Sequence, residues 1–404
     1  MSKLIDKIKN SITAEMLFFT AFISRLVIAT WDTTMFPQVG IIRKIALLLV
    51  LLCASAKIVF YNTHTLSEII VISICGFCAV MNMIKSGSNV FLILFLLVVA
   101  AQGIEFRKIL KIYLAIVGSI VGFAFICSIS GIIENLRYWQ ADEMYYRNSF
   151  GIVYCTDFAA HIFFLALAYY YLRGKNLKWF EHLITLGITG FVLATSHGKL
   201  DSICMVLMVI IFAVGNMITE NDIGLNKVLK HYWISIWRCF APWSMVICTA
   251  IMFALTFAYK PEVGWMSELD ELITTRLSVG NESFKEFGYS IFGQQLKLNG
   301  NGGSTLYVQD YNFTDCSYLY VLVCSGLAIL AITLLLYIYG CYKNAEDIHL
   351  LYAITVVGIN CMIAHHLQDI SYNPFIFMIM ALVVPQVKEK EEYVSSKIQC
   401  YINY

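Results

Sequence analysis

The sequence contains little charge. Only 14% of its residues are Asp, Glu, Lys or Arg, against about 25% in a typical soluble protein, whereas 59% are hydrophobic. It has no basic cluster of the kind that marks a nucleic-acid partner, so no nucleic acid is expected to bind. Most of its 13 cysteines lie within apolar runs, where a thiol acts as a small hydrophobic group, and they predict no disulfide framework. The composition is that of an integral membrane protein.

Long apolar windows define the predicted architecture, since about 20 apolar residues are enough for a helix to cross the hydrocarbon core. The windows predict an all-α, polytopic protein with about twelve transmembrane helices. They lie near residues 14–31, 41–60, 67–84, 88–104, 109–129, 151–171, 181–196, 201–218, 239–258, 316–340, 347–364 and 374–387. The charged start "MSKLIDKIKN" precedes the first window without a small-residue cleavage pattern, so the first helix is expected to remain in the protein.

The distribution of Lys and Arg predicts the orientation, because these residues are retained on the cytoplasmic side of short loops. Most of the 28 fall on one side if both termini are cytoplasmic. This orientation places two large loops outside, near 130–150 and 259–315, within a single transmembrane domain over 1–404. It also predicts that 365–373 faces outward.

The second outward loop contains apolar residues at helical spacing. These are Leu269, Leu272, Ile273 and Leu277. Such spacing next to charged residues predicts an amphipathic helix on the outer interface. The stretch "LNGNGGST" that follows is typical of a flexible loop tip.

Three stretches resemble the Wzy-type polysaccharide polymerases of capsule and exopolysaccharide clusters, which share their architecture with O-antigen ligases. The first is "TTRLSVGNESFKEFGYSIFGQQL" followed by "TDCSYLYVLVCSGL", similar to that family's Arg-Leu helix, "FG" turn and Asp-x-Ser-Tyr helix start. The second is "RNSFGIVYCTDFAAH", with Cys155 where the family has Pro. The third is "ATSHGKLDSICM", where His197 and Lys199 take the place of a Ser-Arg pair.

This resemblance implies a glycosyltransferase of the bacterial cytoplasmic membrane that polymerises oligosaccharide repeat units on the outer face. The implied donor and acceptor are both glycans linked to undecaprenyl diphosphate, and no cofactor is implied. Membrane lipids, a flippase and a chain-length regulator are the further partners that the resemblance implies. A diphosphate leaving group needs cations more than it needs a proton donor, whereas the attacking sugar hydroxyl gains from a base.

The stretch "HHLQDISYN" supplies candidates for that base. His365, His366 and Asp369 are the predicted catalytic residues. His365 and Asp369 stand four apart, so they share a helical face if the helix continues that far, and Asp369 could then orient the imidazole. A hydrogen-bonded cluster at the membrane interface explains the same residues equally well.

Further polar residues are predicted to bind the diphosphate or the sugar. They are Arg25, Arg147, His197, Lys199, Asp201, Arg276, Asp310 and Asp315. Arg276 is the first choice for the diphosphate, although it could instead reach lipid phosphates. Arg25 lies within the first span and is costly there unless it faces protein or water, so a structural ion pair is its alternative role. His197, Asp201, Asp310 and Asp315 are also fallback positions for the base.

Other classes of protein are open at this stage. A metal-dependent sugar transferase is disfavoured because the sequence has no Asp-x-Asp motif, which leads us to expect transfer without a metal. A flippase or exporter would also be helical, but it has less use for a long outward loop. A membrane O-acyltransferase needs a suitably placed histidine, and the first here, His64, falls on the predicted cytoplasmic side.

Overall fold

A computed structural model describes residues 13–140, 144–220, 225–305 and 311–384, and most of these are helical. The α-helices are α1 (Ala14–Asp32), α2 (Gly40–Tyr61), α3 (Leu66–Ser86), α4 (Val90–Ala100), α5 (Phe106–Ile129), α6 (Cys155–Arg173), α7 (Trp179–Ser196), α8 (Lys199–Glu220), α9 (Leu225–Ala258), α10 (Gly264–Leu272), α11 (Arg276–Phe287), α12 (Ser317–Tyr320), α13 (Leu327–Lys343) and α14 (Ile348–Asn360). Short 3₁₀ helices cover Gly174–Asn176 and Pro374–Ile379, and a π-helical turn covers Val321–Ser325.

Seven of the described helices are long and apolar enough to cross a membrane, namely α1, α2, α3, α5, α6, α8 and α9. Each of them overlaps one of the predicted windows. The count of twelve spans is not confirmed, and the orientation of the chain stays a prediction.

The remaining apolar helices are shorter. The helices α4, α13 and α14 have 11, 17 and 13 residues. At about 1.5 Å per residue, α14 is roughly 20 Å long, which is less than the hydrocarbon core of about 30 Å. Nearly all of its residues are buried. The residues of the eleventh window are therefore apolar because protein surrounds α14. The length of the window in the sequence did not distinguish this from a helix surrounded by lipid.

The tenth predicted span is broken rather than continuous. It begins as α12, passes through the π-helical turn, and restarts as α13 after Gly326, whose φ is 94°. A Cβ atom on Gly326 would lie 2.3 Å from the backbone nitrogen of Gly293, so a glycine is required here. The loop carrying Gly293 thus packs directly against the helix break, an arrangement that hydropathy cannot predict.

The twelfth predicted span, 374–387, is not a transmembrane helix over its described residues. Pro374–Ile379 forms a 3₁₀ helix, and residues 370–379 are all buried. Non-helical backbone at membrane depth is stable only where protein groups satisfy it. Side chains do so here: Asn344 Nδ2 donates to the carbonyl of Met378 at 3.2 Å, and Lys343 Nζ to that of Ile379 at 3.0 Å. The expectation failed because an apolar run facing protein has the same composition as one facing lipid.

The predicted outward loops also contain structure that the sequence did not predict. Within 130–150, strands β1 (Arg137–Gln140) and β2 (Tyr145–Asn148) form an antiparallel hairpin. In the second loop, the expected amphipathic helix is instead two helices, α10 and α11, separated at Thr274 and Thr275, which both have positive φ. The Asp270 carboxylate stabilises the break, since its Oδ1 accepts hydrogen bonds from two amides in the first turn of α11, Leu277 N at 2.7 Å and Ser278 N at 3.1 Å.

Candidate functional site

The site is built around the non-helical segment 361–373, which follows α14. Ser317 at the start of α12 holds this segment in place, because its hydroxyl donates to the carbonyl of Ala364 and accepts from the amide of Leu367 at 3.2 Å. A further backbone hydrogen bond joins the Ser317 amide to the carbonyl of Cys361 at 2.9 Å. The two predicted histidines are therefore presented by a loop that α12 fixes, and His365 and Asp369 do not share a helical face.

Asp315 lies between an arginine and a histidine. Its Oδ2 is 3.8 Å from Arg276 Nη2, and its Oδ1 is 4.0 Å from His365 Nδ1. Tyr311 donates a hydrogen bond to the same carboxylate at 3.3 Å. The side chains of Asp315 and His365 are 32% and 28% exposed, so a substrate can reach both. Arg276, Asp315, His365 and His366, together with Asp157 described below, are called the polar cluster from here on.

Arg276 is held at the beginning of α11 by backbone carbonyls. Its Nε donates to the carbonyl of Ile363 at 2.6 Å, and its Nη1 donates to that of Ile273 at 3.0 Å. Nη1 also bonds to the hydroxyl of Thr274. These contacts fix the guanidinium plane, and they tie the α10–α11 junction to the segment that carries the histidines. The Nη2 edge is the part that faces Asp315.

His366 faces the protein interior, where it joins a stack of rings. Its imidazole stacks on Tyr372 with ring centroids 3.7 Å apart, and Tyr372 stacks in turn on His161 at 4.0 Å. The His366 ring also contacts the His365 ring, with centroids 4.3 Å apart and the rings tilted by 44°. His161 Nε2 is hydrogen-bonded to Thr33 Oγ1 at 2.9 Å. The stack therefore connects the half-exposed His365 to the core between α1 and α6.

Asp157 approaches the cluster from the first turn of α6. Its Oδ1 is 3.8 Å from His366 Nε2, and its side chain is 16% exposed. It also interacts electrostatically with Asp315 and Asp369. Neither Asp157 nor His161 was among the predicted site residues. Both stand in "CTDFAAH" four residues apart, so the spacing rule that selected His365 with Asp369 would have found them.

Asp201 is buried beside the cluster, on α8. Its Oδ1 accepts a hydrogen bond from Asn360 Nδ2 at 2.8 Å, and it interacts electrostatically with Arg276. The close approach of α6 and α8 depends on Gly198, since a Cβ atom there would lie 2.4 Å from the Cβ of Ala159. Asp201 therefore lies in the protein interior next to the site, with one carboxylate oxygen engaged by an amide.

Arg147 and His197 belong to the hairpin side of the site. Arg147 Nε donates to the carbonyl of Ser196 at 3.2 Å, and its guanidinium lies 6.0 Å from the centroid of the Tyr154 ring. Arg147 also interacts electrostatically with Asp315. His197 caps the end of α7 in a left-handed conformation and stacks on Tyr145 at 3.5 Å. The hairpin thus brings Arg147 toward the cluster, while His197 packs away from it on the strand.

The remaining predicted residues lie elsewhere. The Oδ1 atom of Asp369 accepts from the amide of Ser371 at 2.9 Å and from its hydroxyl at 2.7 Å, so it shapes the turn and makes no hydrogen bond to His365. Arg25 lines a small separate cavity next to Asp369. Lys199 begins α8, and its amide donates to the carbonyl of His197. Asp310 lies outside the described residues.

The environment of the two histidines favours their neutral forms. Burial lowers the pKa of His365 below its usual value, and the charges of Asp315 and Asp369 offset part of that effect. Burial lowers the pKa of His366 further, and the neighbouring His365 and His161 act in the same direction. A neutral imidazole can accept a proton, so His365 has both the access and the protonation state that a general base needs.

In the cluster, the accessible Asp315 carboxylate lies within about 4 Å of both the accessible His365 imidazole and the fixed Arg276 guanidinium. Within the described ranges, no group of three or more His, Cys, Asp or Glu side chains is arranged to hold a metal ion. A base next to an anion-binding cation suits the transfer of a group away from a phosphate leaving group.

No protein-family model matches this chain, and searches of curated proteins and of solved structures return no significant match.

Proposed function

We propose that this protein polymerises oligosaccharide repeat units linked to undecaprenyl diphosphate, on the outer face of a bacterial cytoplasmic membrane. The observation that carries the proposal is the placement of Asp315 between Arg276 and His365 at the accessible end of a cluster enclosed by membrane-type helices. The resemblance of the same stretches to Wzy-type polymerases supports the reaction class.

Arg276 and Arg147 are assigned to the donor diphosphate in this proposal. The arginine fork matches two phosphate oxygens at once, and charge-assisted hydrogen bonds of this kind are the strong ones. The leaving diphosphate gains negative charge as the bond to the sugar breaks, so fixed cations lower the barrier. Since Nε and Nη1 of Arg276 are already bonded to carbonyls, its Nη2 is the donor free to move from Asp315 to a phosphate oxygen.

His365 is assigned as the base that takes the proton of the acceptor sugar hydroxyl. The hydroxyl oxygen forms a bond to the anomeric carbon of the donor, the bond from that carbon to the diphosphate oxygen breaks, and the electron pair leaves with the diphosphate. The proton goes to His365, whose imidazolium is then stabilised by Asp315 at 4.0 Å. A single displacement of this kind inverts the anomeric configuration, so retention relative to the donor would contradict it.

The test uses the purified protein in lipid nanodiscs with a synthetic undecaprenyl-diphosphate-linked repeat unit. A ladder of lengthened glycans on a gel or by mass spectrometry is the expected result, and added EDTA should not change its rate. Movement of the lipid-linked substrate between leaflets without lengthening would indicate a flippase instead. Transfer of an acyl group from an added acyl donor would indicate an acyltransferase.

A further inference from the structure

Arg25 occupies an unusual position for a cation. It lies on α1, which is long and apolar enough to span a membrane, and its side chain is partly buried. Among the described residues, its guanidinium makes no hydrogen bond or ion pair. A charge within a membrane helix is costly unless it faces protein, water or an opposite charge, and such residues mark binding sites by default. An anion from outside the chain would satisfy Arg25.

The surroundings of Arg25 are suited to a polar head group. A cavity of about 60 Å³ is lined by Arg25, Leu94, Gln368, Asp369 and Ile370. Gln368 and Asp369 belong to the same segment, 361–373, that carries His365 and His366. One oxygen of Asp369 is engaged by Ser371, and the carboxylate can accept a further hydrogen bond from a sugar hydroxyl.

A much larger apolar groove begins beside this cavity. It has a volume of about 570 Å³ and lies between α3, α4, α13 and the Pro374–Ile379 helix. Its lining includes Cys75, Phe95, Ile332 and Leu336. Leu94 lines both spaces, and Gln368 of the small cavity donates a hydrogen bond at 3.3 Å to Thr333, which lines the groove. The volume is in the range of sites that enclose a ligand, about 300–1,000 Å³.

We propose that Arg25 and this groove hold the acceptor lipid: its phosphate binds Arg25, and its polyisoprenyl chain fills the groove. The inference rests on the proposed function, which requires two lipid-linked substrates to be bound at once. Arg276 contacts Ile363, which precedes the two histidines, and Arg25 lines a cavity with Gln368 to Ile370, which follow them. The two cations therefore meet the segment that carries the base at different points, which suits the binding of two separate lipids.

The binding test uses undecaprenyl diphosphate with a photoreactive diazirine in its chain, added to the full-length protein in phosphatidylethanolamine and phosphatidylglycerol nanodiscs. We expect labelling of peptides from α3, α4 and α13 that line the groove. The variant Arg25→Gln should reduce this labelling by at least about ten-fold, because the phosphate contact is lost, while labelling by the uncharged undecaprenol should not change. The control Arg43→Gln removes a surface arginine paired with Asp32 and should have no effect.

A second pair of variants tests the groove itself. Cys75→Trp fills the groove and should abolish its labelling, whereas Ile74→Trp, at a neighbouring position that is 55% exposed, should leave it unchanged. In the polymerisation assay, Arg25→Gln and Cys75→Trp should raise KM for the acceptor with little change in kcat, as expected for lost ground-state binding.

Three results would overturn the inference. They are equal labelling of the groove in the Cys75→Trp and Ile74→Trp variants, displacement by the bulk phospholipids as readily as by undecaprenyl diphosphate, and an unchanged acceptor KM in both Arg25→Gln and Cys75→Trp. Failure of the proposed function is distinguishable, since it would appear as the absence of any ladder from the unmodified protein, whatever the labelling of the groove.

Discussion

Replacement of His365 by Gln tests the chemistry most directly. Glutamine keeps a hydrogen-bonding group of similar reach but cannot act as a base at neutral pH. General-base catalysis contributes about 10²- to 10⁴-fold to a rate, which corresponds to roughly 2.7–5.4 kcal/mol of barrier at about 1.36 kcal/mol per factor of ten. The variant loses the edge-to-face contact of His365 with Phe313, at 4.7 Å, and its ring contact with His366, at 4.3 Å. Such a contact contributes about 0.5–1.5 kcal/mol, so the protein should still fold.

The matched control is His366→Gln, because the two residues are adjacent and the same atoms are exchanged. His366 is 3% exposed and cannot reach a substrate, so we expect its loss to change kcat by less than about ten-fold. It should instead destabilise the protein by about 1–2 kcal/mol, since the stack on Tyr372 is lost and Asp157 loses its neighbour. The donor KM should be nearly unchanged in both variants.

The pH profile separates a base from a positioning group. In the proposed mechanism the neutral form of His365 is the active one, and burial lowers the pKa of this residue. The rate of the unmodified protein should therefore rise with pH through a value below about 6.5 and be flat above it. His366→Gln should keep this profile, and His365→Gln should lose it together with most of the rate. Equal rates and equal profiles in both variants would refute the assignment and direct attention to Asp157, Asp201 or Asp315.

Three further predictions concern other parts of the molecule. Arg276→Lys keeps the charge but cannot reproduce the fixed guanidinium plane, so the polymerisation rate should fall about 10²- to 10³-fold with normal protein yield. The control Arg43→Lys should leave the rate unchanged. A fully active Arg276→Lys together with a mildly impaired Arg276→Ala would indicate that Arg276 is a lipid anchor. Gly198→Ala should destabilise the protein by about 1–3 kcal/mol through its contact with Ala159, as measured by unfolding in detergent. Gly187 has open space around it, so Gly187→Ala should be neutral or stabilising by up to about 1 kcal/mol. A greater loss of stability in Gly187→Ala than in Gly198→Ala would contradict the packing. A cysteine at the exposed Thr305 should react with an impermeant thiol reagent in intact cells if 259–315 faces outward, and labelling only after the membranes are opened would reverse the predicted orientation.

The sequence was informative wherever local composition determines structure. The long spans such as α2, α3 and α5 follow from apolar length, and their positions agree with the predicted windows. It was less informative where apolar residues face protein. The windows that contain α14 and Pro374–Ile379 look like membrane spans, yet both elements are short and enclosed. Hydropathy measures the preference of a segment for an apolar environment over water, and it does not distinguish lipid from protein as that environment.

Side-chain chemistry was enough to predict several site residues, whereas their pairing depends on contacts between distant parts of the chain. Arg276, Asp315, His365 and His366 were selected for their chemistry, and the fold brings them into one cluster. Asp369 was paired with His365 on the condition that the helix continues that far. Because α14 ends at Asn360, that condition is not met, and Asp315, from a separate part of the chain, is the carboxylate 4.0 Å from His365. Asp157 lies far away in sequence from His366, and only the packing of α6 against the segment 361–373 places them together.

The enclosed segment 361–379 has a consequence for how the protein is made. A transmembrane helix satisfies its own backbone and can enter the bilayer alone, but this segment cannot, since its polar groups are satisfied by Ser317, Lys343 and Asn344. Tyr113 of α5 adds another such contact, donating to the carbonyl of Tyr372 at 2.7 Å. We therefore expect the segment to reach its final position only together with α5, α12 and α13, which supply these partners. We therefore expect the polar cluster to be absent from a chain whose helices are misassembled.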